Sequence, residues 1–81
     1  MKKTSVLVAD DHKLVREGIV KLLDFYEDLE VIAEANDGLE TVNKVRDNFP
    51  DLVLLDLNMP RMNGIDTVKK IKEIAPDIKV L

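Results

Sequence analysis

Apolar positions along the chain fall into two kinds of run. Val6-Leu7-Val8-Ala9 and Leu52-Val53-Leu54-Leu55 are unbroken apolar stretches, and each stops on acid, the first on Asp10-Asp11 and the second on Asp56. Strands covered on both faces of a parallel sheet read as continuous Val, Ile and Leu runs, so both segments are predicted to be central strands. Between them the period changes. Leu14, Val15, Gly18, Ile19, Leu22 and Leu23 recur at helical spacing, which predicts a helix from about His12 to about Phe25 with Lys13, Arg16, Glu17, Lys21 and Asp24 on its other face. Leu29 to Ala35 reads as a second strand, and Glu30 and Glu34 on one side of it place it at the rim of the sheet. Asp37-Gly38-Leu39-Glu40 has the spacing of a capping box and opens a second helix with a buried stripe of Leu39, Val42 and Val45, ending near Phe49-Pro50. The third strand runs from Leu52 to Asp56. After a loop through Met59-Pro60 to Asn63-Gly64, Ile65, Val68, Ile71 and Ile74 line a third helix that Pro76 terminates, and Ile78-Lys79-Val80-Leu81 starts a fourth strand.

Strand and helix signals therefore alternate, with no linker, low-complexity tract or sequence repeat, and alternation of this kind predicts βαβ units around a parallel sheet. The rim position of the second strand and the right-handed crossover rule give a strand order of 2-1-3-4 with helices on both faces, in which strands one and three are neighbours. Eighty-one residues, 46% of them hydrophobic, suit one small domain. The chain has no cysteine and a single histidine, His12, which excludes disulfides, thiolate metal sites and imidazole-rich zinc sites. Sixteen acidic residues stand against 12 basic ones, for a net charge of −4, so no basic stripe is present to hold a phosphate backbone, and direct nucleic-acid binding is not expected. Met1-Lys2-Lys3 leads directly into the first strand rather than into a signal-peptide core or a membrane span, and a cytoplasmic location with no membrane contact is expected.

Ligands of open α/β sheets bind beyond the carboxyl ends of the strands, which makes Asp10, Asp11 and Asp56 candidates for one site. One acid of the Asp10-Asp11 pair is accounted for as an N-cap of the first helix. Capping needs only one of them and does not explain Asp56. Three carboxylates in one place repel one another unless a cation neutralises them. With oxygen donors alone the fitting cation is hard, and Mg²⁺ is favoured because it binds through one or two carboxylates and keeps positions for water or phosphate. Such a site is suited to receive a phosphoryl group. His12, in the first turn of the helix, reads as a solvated polar residue rather than a second phosphate carrier.

Four segments taken together resemble the receiver domain of two-component response regulators of the NarL/FixJ type: Val6-Leu7-Val8-Ala9-Asp10-Asp11-His12, Leu14-Val15-Arg16-Glu17-Gly18, Pro50-Asp51-Leu52-Val53-Leu54-Leu55-Asp56-Leu57-Asn58-Met59-Pro60, and Asn63-Gly64. The resemblance implies a flavodoxin-like (CheY-like) doubly wound sheet, with residues 1–81 forming the N-terminal two-thirds of such a domain. It implies that Asp56 is the phosphoacceptor and that Asp10 and Asp11 hold Mg²⁺, one often through water. Asn58 would offer its backbone carbonyl to the metal, while Pro60 and Gly64 would shape the loop. The phosphodonor would be a sensor histidine kinase or a small acyl phosphate, and a DNA-binding domain downstream in the parent regulator would carry the output in transcription regulation.

In the family a Ser or Thr follows the fourth strand and a Lys follows the fifth, and neither falls within these residues; Lys69, Lys70, Lys72 and Lys79 do not replace that Lys. Phosphorylation is accordingly expected to be slow or absent, and the free sheet edge at residues 78–81 is expected to promote self-association. Any catalysis would be limited to self-phosphorylation and dephosphorylation. Two alternatives remain: a Mg²⁺-dependent phosphohydrolase with Asp56 as nucleophile, disfavoured because Asp-x-Asp is lacking near the first strand, and an inert folding or assembly fragment.

Overall fold

A computed structural model of the chain describes residues 3–56, 59 and 63–81; Asn58 and Pro60 lie outside the described residues. The elements run β1 (Thr4–Ala9), α1 (Lys13–Leu23), β2 (Leu29–Ala35), α2 (Gly38–Asn48), β3 (Leu52–Leu55), α3 (Gly64–Ile74) and β4 (Lys79–Val80). The strands form a single parallel sheet in the order β2-β1-β3-β4, with β2 at one rim as its glutamates imply. The order 2-1-3-4 and the alternation of helix and strand agree with the sequence reading. Among the described residues, no helix is long and apolar enough to cross a membrane.

The two central strands owe their position to burial. Val6, Leu7, Val8 and Ala9 are all at most 1% exposed, as an apolar run between two covering layers requires. Leu7, Ala9 and Val53 join Ala35, Val45 of α2, Ile71 of α3, Met59 and Ile78 in one core cluster. Alternation along β1 sends Val6 and Val8 to the opposite face, which α1 covers through its contacts with β1 and β2. The step from Val6↔Val31 to Leu7↔Ala33 leaves Ile32 as an extra residue in β2, a bulge that bends the rim strand.

Helix faces depart from the apolar pattern in three places, each for a physical reason. Leu39 and Ile65 are 46% and 69% exposed although both were expected to face inward, while Thr41 and Thr67 are fully buried instead. Each threonine stands four residues after a capping residue and satisfies its hydroxyl within the helix: Thr41 Oγ1 donates to the Asp37 carbonyl at 2.7 Å and Thr67 Oγ1 donates to the Asn63 carbonyl at 2.9 Å. A hydroxyl bonded in this way carries little burial penalty, so a methyl-bearing threonine serves as a core residue. The third departure is α1, in which no residue is buried. Its apolar positions are spread around much of the helix. Ile19, Val20 and Leu23 are half-buried, whereas Leu14 is 83% exposed and Leu22 58%.

The caps are asymmetric. Asp37 accepts the Glu40 amide at 2.7 Å, and the Glu40 carboxylate reaches back to the amide of Asn36, closing the capping box one residue earlier than its usual target. Asn63 accepts the Asp66 amide at 2.8 Å and so caps α3, a role that the sequence reading assigned to no residue. At the far end of α2, Phe49 takes the left-handed conformation with φ 45°, the only non-glycine positive φ among the described residues, and its amide closes on the Val45 carbonyl.

Ile71→Ala is expected to lower stability by about 2–5 kcal/mol, because it empties a fully buried site. Leu14→Ala should change stability by no more than about 0.5 kcal/mol, because Leu14 is already in solvent. Urea unfolding of both variants beside the parent chain tests the contrast; equal losses would mean that α1 is covered in solution.

Candidate functional site

The site is built by the ends of β1 and β3. Their parallel register runs from Val6↔Leu52 to Ala9↔Leu55, which brings Asp10 and Asp56 side by side at the carboxyl edge of the sheet. The backbone stays in the ladder up to the acids: the Asp56 amide donates to the Ala9 carbonyl and the Asp10 amide donates to the Ala35 carbonyl, both at 3.0 Å. One ligand atom each from Asp10, Asp11, His12 and Asp56 can be chosen so that all lie within 4.8 Å of one another. The three acids named from the sequence are therefore brought together, and His12 joins them. Asn58, the fourth expected metal contact, lies outside the described residues.

Neither Asp10 nor Asp11 caps α1. The N-cap is His12, with extended backbone and no side-chain cap bond. Asp10 instead closes a tight turn, its Oδ1 accepting the amide of His12 at 2.8 Å. Arg16 fixes the same turn from the next helical turn, donating from Nη1 to the Asp10 carbonyl at 2.7 Å while its Nε pairs with Glu34 of β2 at 3.1 Å. Asp10 is thus buried, with its backbone clamped, while the Asp11 side chain is partly exposed. The His12 ring is 70% exposed but does not simply project into water. Its Nδ1 lies 3.0 Å from Asp11 Oδ1 and 3.3 Å from Asp10 Oδ1. Arg16 gave no signal beyond its place on the polar face of the helix, because its partners are distant in sequence.

The opposite end of the same strand pair holds a polar clamp. Asp51 Oδ2 accepts the Ser5 amide at 2.9 Å and the Ser5 hydroxyl at 3.0 Å, and the Asp51 amide donates back to Ser5 Oγ at 2.9 Å. With the Asp51 amide also donating to the Ser5 carbonyl at 2.9 Å, four bonds between residues 46 apart fix the start of the β1–β3 ladder. Among the lysines of the C-terminal part, Lys72 donates from Nζ to the Ile78 carbonyl and Lys70 pairs with Glu73 at 3.8 Å.

Chemically, the arrangement offers three carboxylates and one imidazole at a sheet edge, open on one side through Asp11 and His12. Oxygen donors of this number fit a hard divalent cation that keeps part of its coordination sphere for other ligands.

Comparison with known proteins places this geometry in context. Residues 6–81 match the response regulator receiver domain. The transcriptional regulatory protein DegU of Brevibacillus brevis is 38% identical over 79 residues, covering 98% of this chain and 34% of DegU; the chain thus spans about a third of the length of that curated relative. Among solved structures, the signal receiver domain of the response regulator NarL from Mycobacterium tuberculosis superposes with a TM-score of 0.92 at 34% identity, covering 99% of this chain and 64% of the other. A chain of the CheX-CheY-BeF3-Mg²⁺ complex from Borrelia burgdorferi superposes with a TM-score of 0.90 at 30% identity, covering 98% of this chain and 60% of that one.

Asp51→Ala and Ser5→Ala are each expected to cost about 1 kcal/mol in stability, the scale of net hydrogen bonds near the surface. Because they break the same clamp, the double variant should lose much less than the sum of the two. Urea unfolding of the four proteins of this cycle decides; strict additivity would show that the clamp does not act as a unit.

Proposed function

Because the chain belongs to the response regulator receiver family of two-component signalling, we propose that Asp56 accepts a phosphoryl group and that Asp10, Asp11 and Asp56 hold Mg²⁺ for that reaction. The observation that carries this reading is the convergence of the three carboxylates at the carboxyl edge of the central strands. The donor set supports Mg²⁺, as all three are hard oxygen ligands, and the similarity to a complex named for Mg²⁺ and BeF3 adds to it. Asn58 is proposed as a further metal contact on the family pattern alone.

In the proposed reaction an oxygen of the Asp56 carboxylate attacks phosphorus. An O–P bond forms as the N–P bond of a kinase phosphohistidine breaks, and the leaving nitrogen keeps the electron pair; with a small acyl phosphate the bond broken is O–P. When bound, Mg²⁺ supplies charge neutralisation at the phosphoryl oxygens. The chain's own contribution is positional. The ladder bond from the Asp56 amide to Ala9 and the Arg16 clamp on the Asp10 turn hold the acids on adjacent strand ends, so that little reorganisation is needed at the moment of transfer.

Residues 1–81 are read as the N-terminal two-thirds of a receiver domain within a cytoplasmic transcription regulator, with a sensor histidine kinase as partner and a DNA-binding domain elsewhere in the parent protein. The coverage of the NarL receiver and the transcriptional role named for DegU support that reading.

Acetyl phosphate with Mg²⁺ is expected to add one phosphoryl mass to the chain slowly, as the absence of the family's Ser or Thr and Lys from these residues implies, and Asp56→Asn should abolish the adduct. Labelling that persists in Asp56→Asn would overturn the assignment. In calorimetry, Asp11→Asn should weaken Mg²⁺ binding by about tenfold or more, the scale on which even indirect contacts act; an unchanged isotherm would remove Asp11 from the site.

A further inference from the structure

We infer that Glu34, on the rim strand β2, is a positioning residue for the acidic pocket: acting through Arg16, it fixes the peptide plane from which Asp10 and Asp11 leave β1. This role rests on the proposed phosphoacceptor reading and gives the rim strand, which supplies no ligand, a part in the site.

A closed ring of bonds is the first observation. The Asp10 amide donates to the Ala35 carbonyl at 3.0 Å. The Asp10 carbonyl accepts from Arg16 Nη1 at 2.7 Å, and Arg16 Nε donates to Glu34 Oε1 at 3.1 Å. Glu34 and Ala35 are consecutive, so one point of β2 holds both polar groups of the Asp10 backbone. The Asp10 carbonyl belongs to the planar peptide that joins Asp10 to Asp11. Fixing its direction fixes the rotation of that plane, and with it the direction in which the Asp11 side chain departs. A guanidinium presents its donors at fixed angles, so an Arg16 oriented by Glu34 aims Nη1 in one direction only.

The second observation is the bulge of β2. Paired residues of neighbouring parallel strands point to the same face of the sheet. Ser5 pairs with Glu30 and Val8 with Glu34, and Ser5 and Val8 lie on opposite faces of β1. The two glutamates, placed on one side of the strand by their spacing in the sequence, are therefore on opposite sides. The extra residue Ile32 is the cause. Continued without it, the ladder from Val6↔Val31 would pair Ala9 with Glu34 and turn the carboxylate into the core shared with α2 and α3. With it, Glu34 pairs with Val8 on the α1 face and meets Arg16. Ile32 itself is 36% exposed and stands outside the core cluster, so packing does not account for the bulge.

The third observation is how the start of α1 is held. From Lys13 to Gly18 every residue except Arg16 is exposed, whereas the Arg16 side chain is only 15% exposed. Apolar burial does not anchor this part of the helix, and the Glu34–Arg16–Asp10 connection does.

A purely electrostatic role makes different demands. Glu34 as one more negative charge would attract a cation without any directed bond, and Arg16 as a positive charge would repel it. Positioning requires that loss of either residue weaken Mg²⁺ binding. Charge alone requires that loss of Arg16 strengthen it.

The test titrates Mg²⁺ by calorimetry into the parent, Arg16→Met, Glu34→Ala, Glu34→Gln and the double variant Arg16→Met with Glu34→Ala, with urea unfolding of each. Arg16→Met is expected to weaken Mg²⁺ binding about tenfold, the scale of groups that orient metal ligands. Glu34→Ala should weaken it about threefold, the scale of a partly exposed ion pair. Glu34→Gln loses the same charge but keeps an oxygen to accept from Arg16 Nε, and should recover most of that loss. The double variant should bind no more weakly than Arg16→Met, because Glu34 acts through Arg16. The Mg²⁺ concentration for half-maximal labelling of Asp56 by acetyl phosphate should rise in the same order, with the maximal rate changed less. Four results would each overturn the role of Glu34 and leave the pocket standing: lowered urea midpoints with unchanged Mg²⁺ affinity, tighter binding in Arg16→Met, equal losses in Glu34→Ala and Glu34→Gln, or losses that add in the double variant. A parent that neither binds Mg²⁺ nor labels Asp56 would overturn both readings.

Discussion

Everything at the site depends on the register between β1 and β3. Side chains alternate faces along a strand, so a slip of one residue would turn Asp56 away from Asp10 and reverse every buried valine and leucine of the pair. The ladder from Val6↔Leu52 to Ala9↔Leu55 is short, and it ends on acids that repel one another. At the carboxyl end the backbone bond from the Asp56 amide to the Ala9 carbonyl carries the register, while the side chains gather like charge. The apolar interior holds it too, as does the other end, where Ser5 and Asp51 exchange four hydrogen bonds. Polar residues thus appear at both ends of one strand pair with opposite effects: at the amino end they satisfy each other and fix alignment, and at the carboxyl end they concentrate like charge.

The strands and the site acids were legible in the sequence because both are one-dimensional signals. An apolar run followed at once by acid means a buried strand whose exit carries charge, and Val6 to Asp11 and Leu52 to Asp56 needed no knowledge of distant contacts. Helix faces were less legible. Leu39 and Ile65 looked like core on hydrophobicity, yet Thr41 and Thr67 take the buried positions. The missed signal is a short repeat, Asp37-Gly38-Leu39-Glu40-Thr41-Val42 against Asn63-Gly64-Ile65-Asp66-Thr67-Val68, although no repeat was expected. In both segments the first residue caps, the fourth supplies the capped amide, and the fifth returns its hydroxyl to the capping carbonyl. A threonine five places into such a pattern is polar in composition and apolar in effect, and a hydrophobicity pattern cannot register that difference.

Residues around the acids show the complementary limit. Asp10 or Asp11 looked like a helix cap because both precede a helix, but the cap position falls on His12, and Asp10 turns back to accept the His12 amide. One residue of phase separates a stabilising cap from a carboxylate free of that duty. His12 itself looked solvated because a single imidazole among charged neighbours has no periodic meaning, and its relation to two carboxylates emerges only from the turn. Arg16 was assigned to the exposed face of the helix on spacing alone, whereas its guanidinium crosses to the Asp10 carbonyl and to Glu34.

That crossing explains how a helix with no buried residue can still position a site. α1 holds the sheet through half-buried Ile19, Val20 and Leu23, while Leu14 and Leu22 stay in solvent, so apolar burial alone fixes its orientation weakly. The first turn is fixed differently. Arg16 joins β1 and β2 through charge-assisted bonds whose direction is more demanding than that of apolar contact, and it does so one helical turn from the Asp10-Asp11-His12 turn. The amino end of α1 is therefore tied to the strand ends, and its remaining length is free to vary in packing without displacing the acids. A site at the junction of a rigid strand end and a polar-anchored helix start can keep its geometry while the outer face of that helix is left to other contacts.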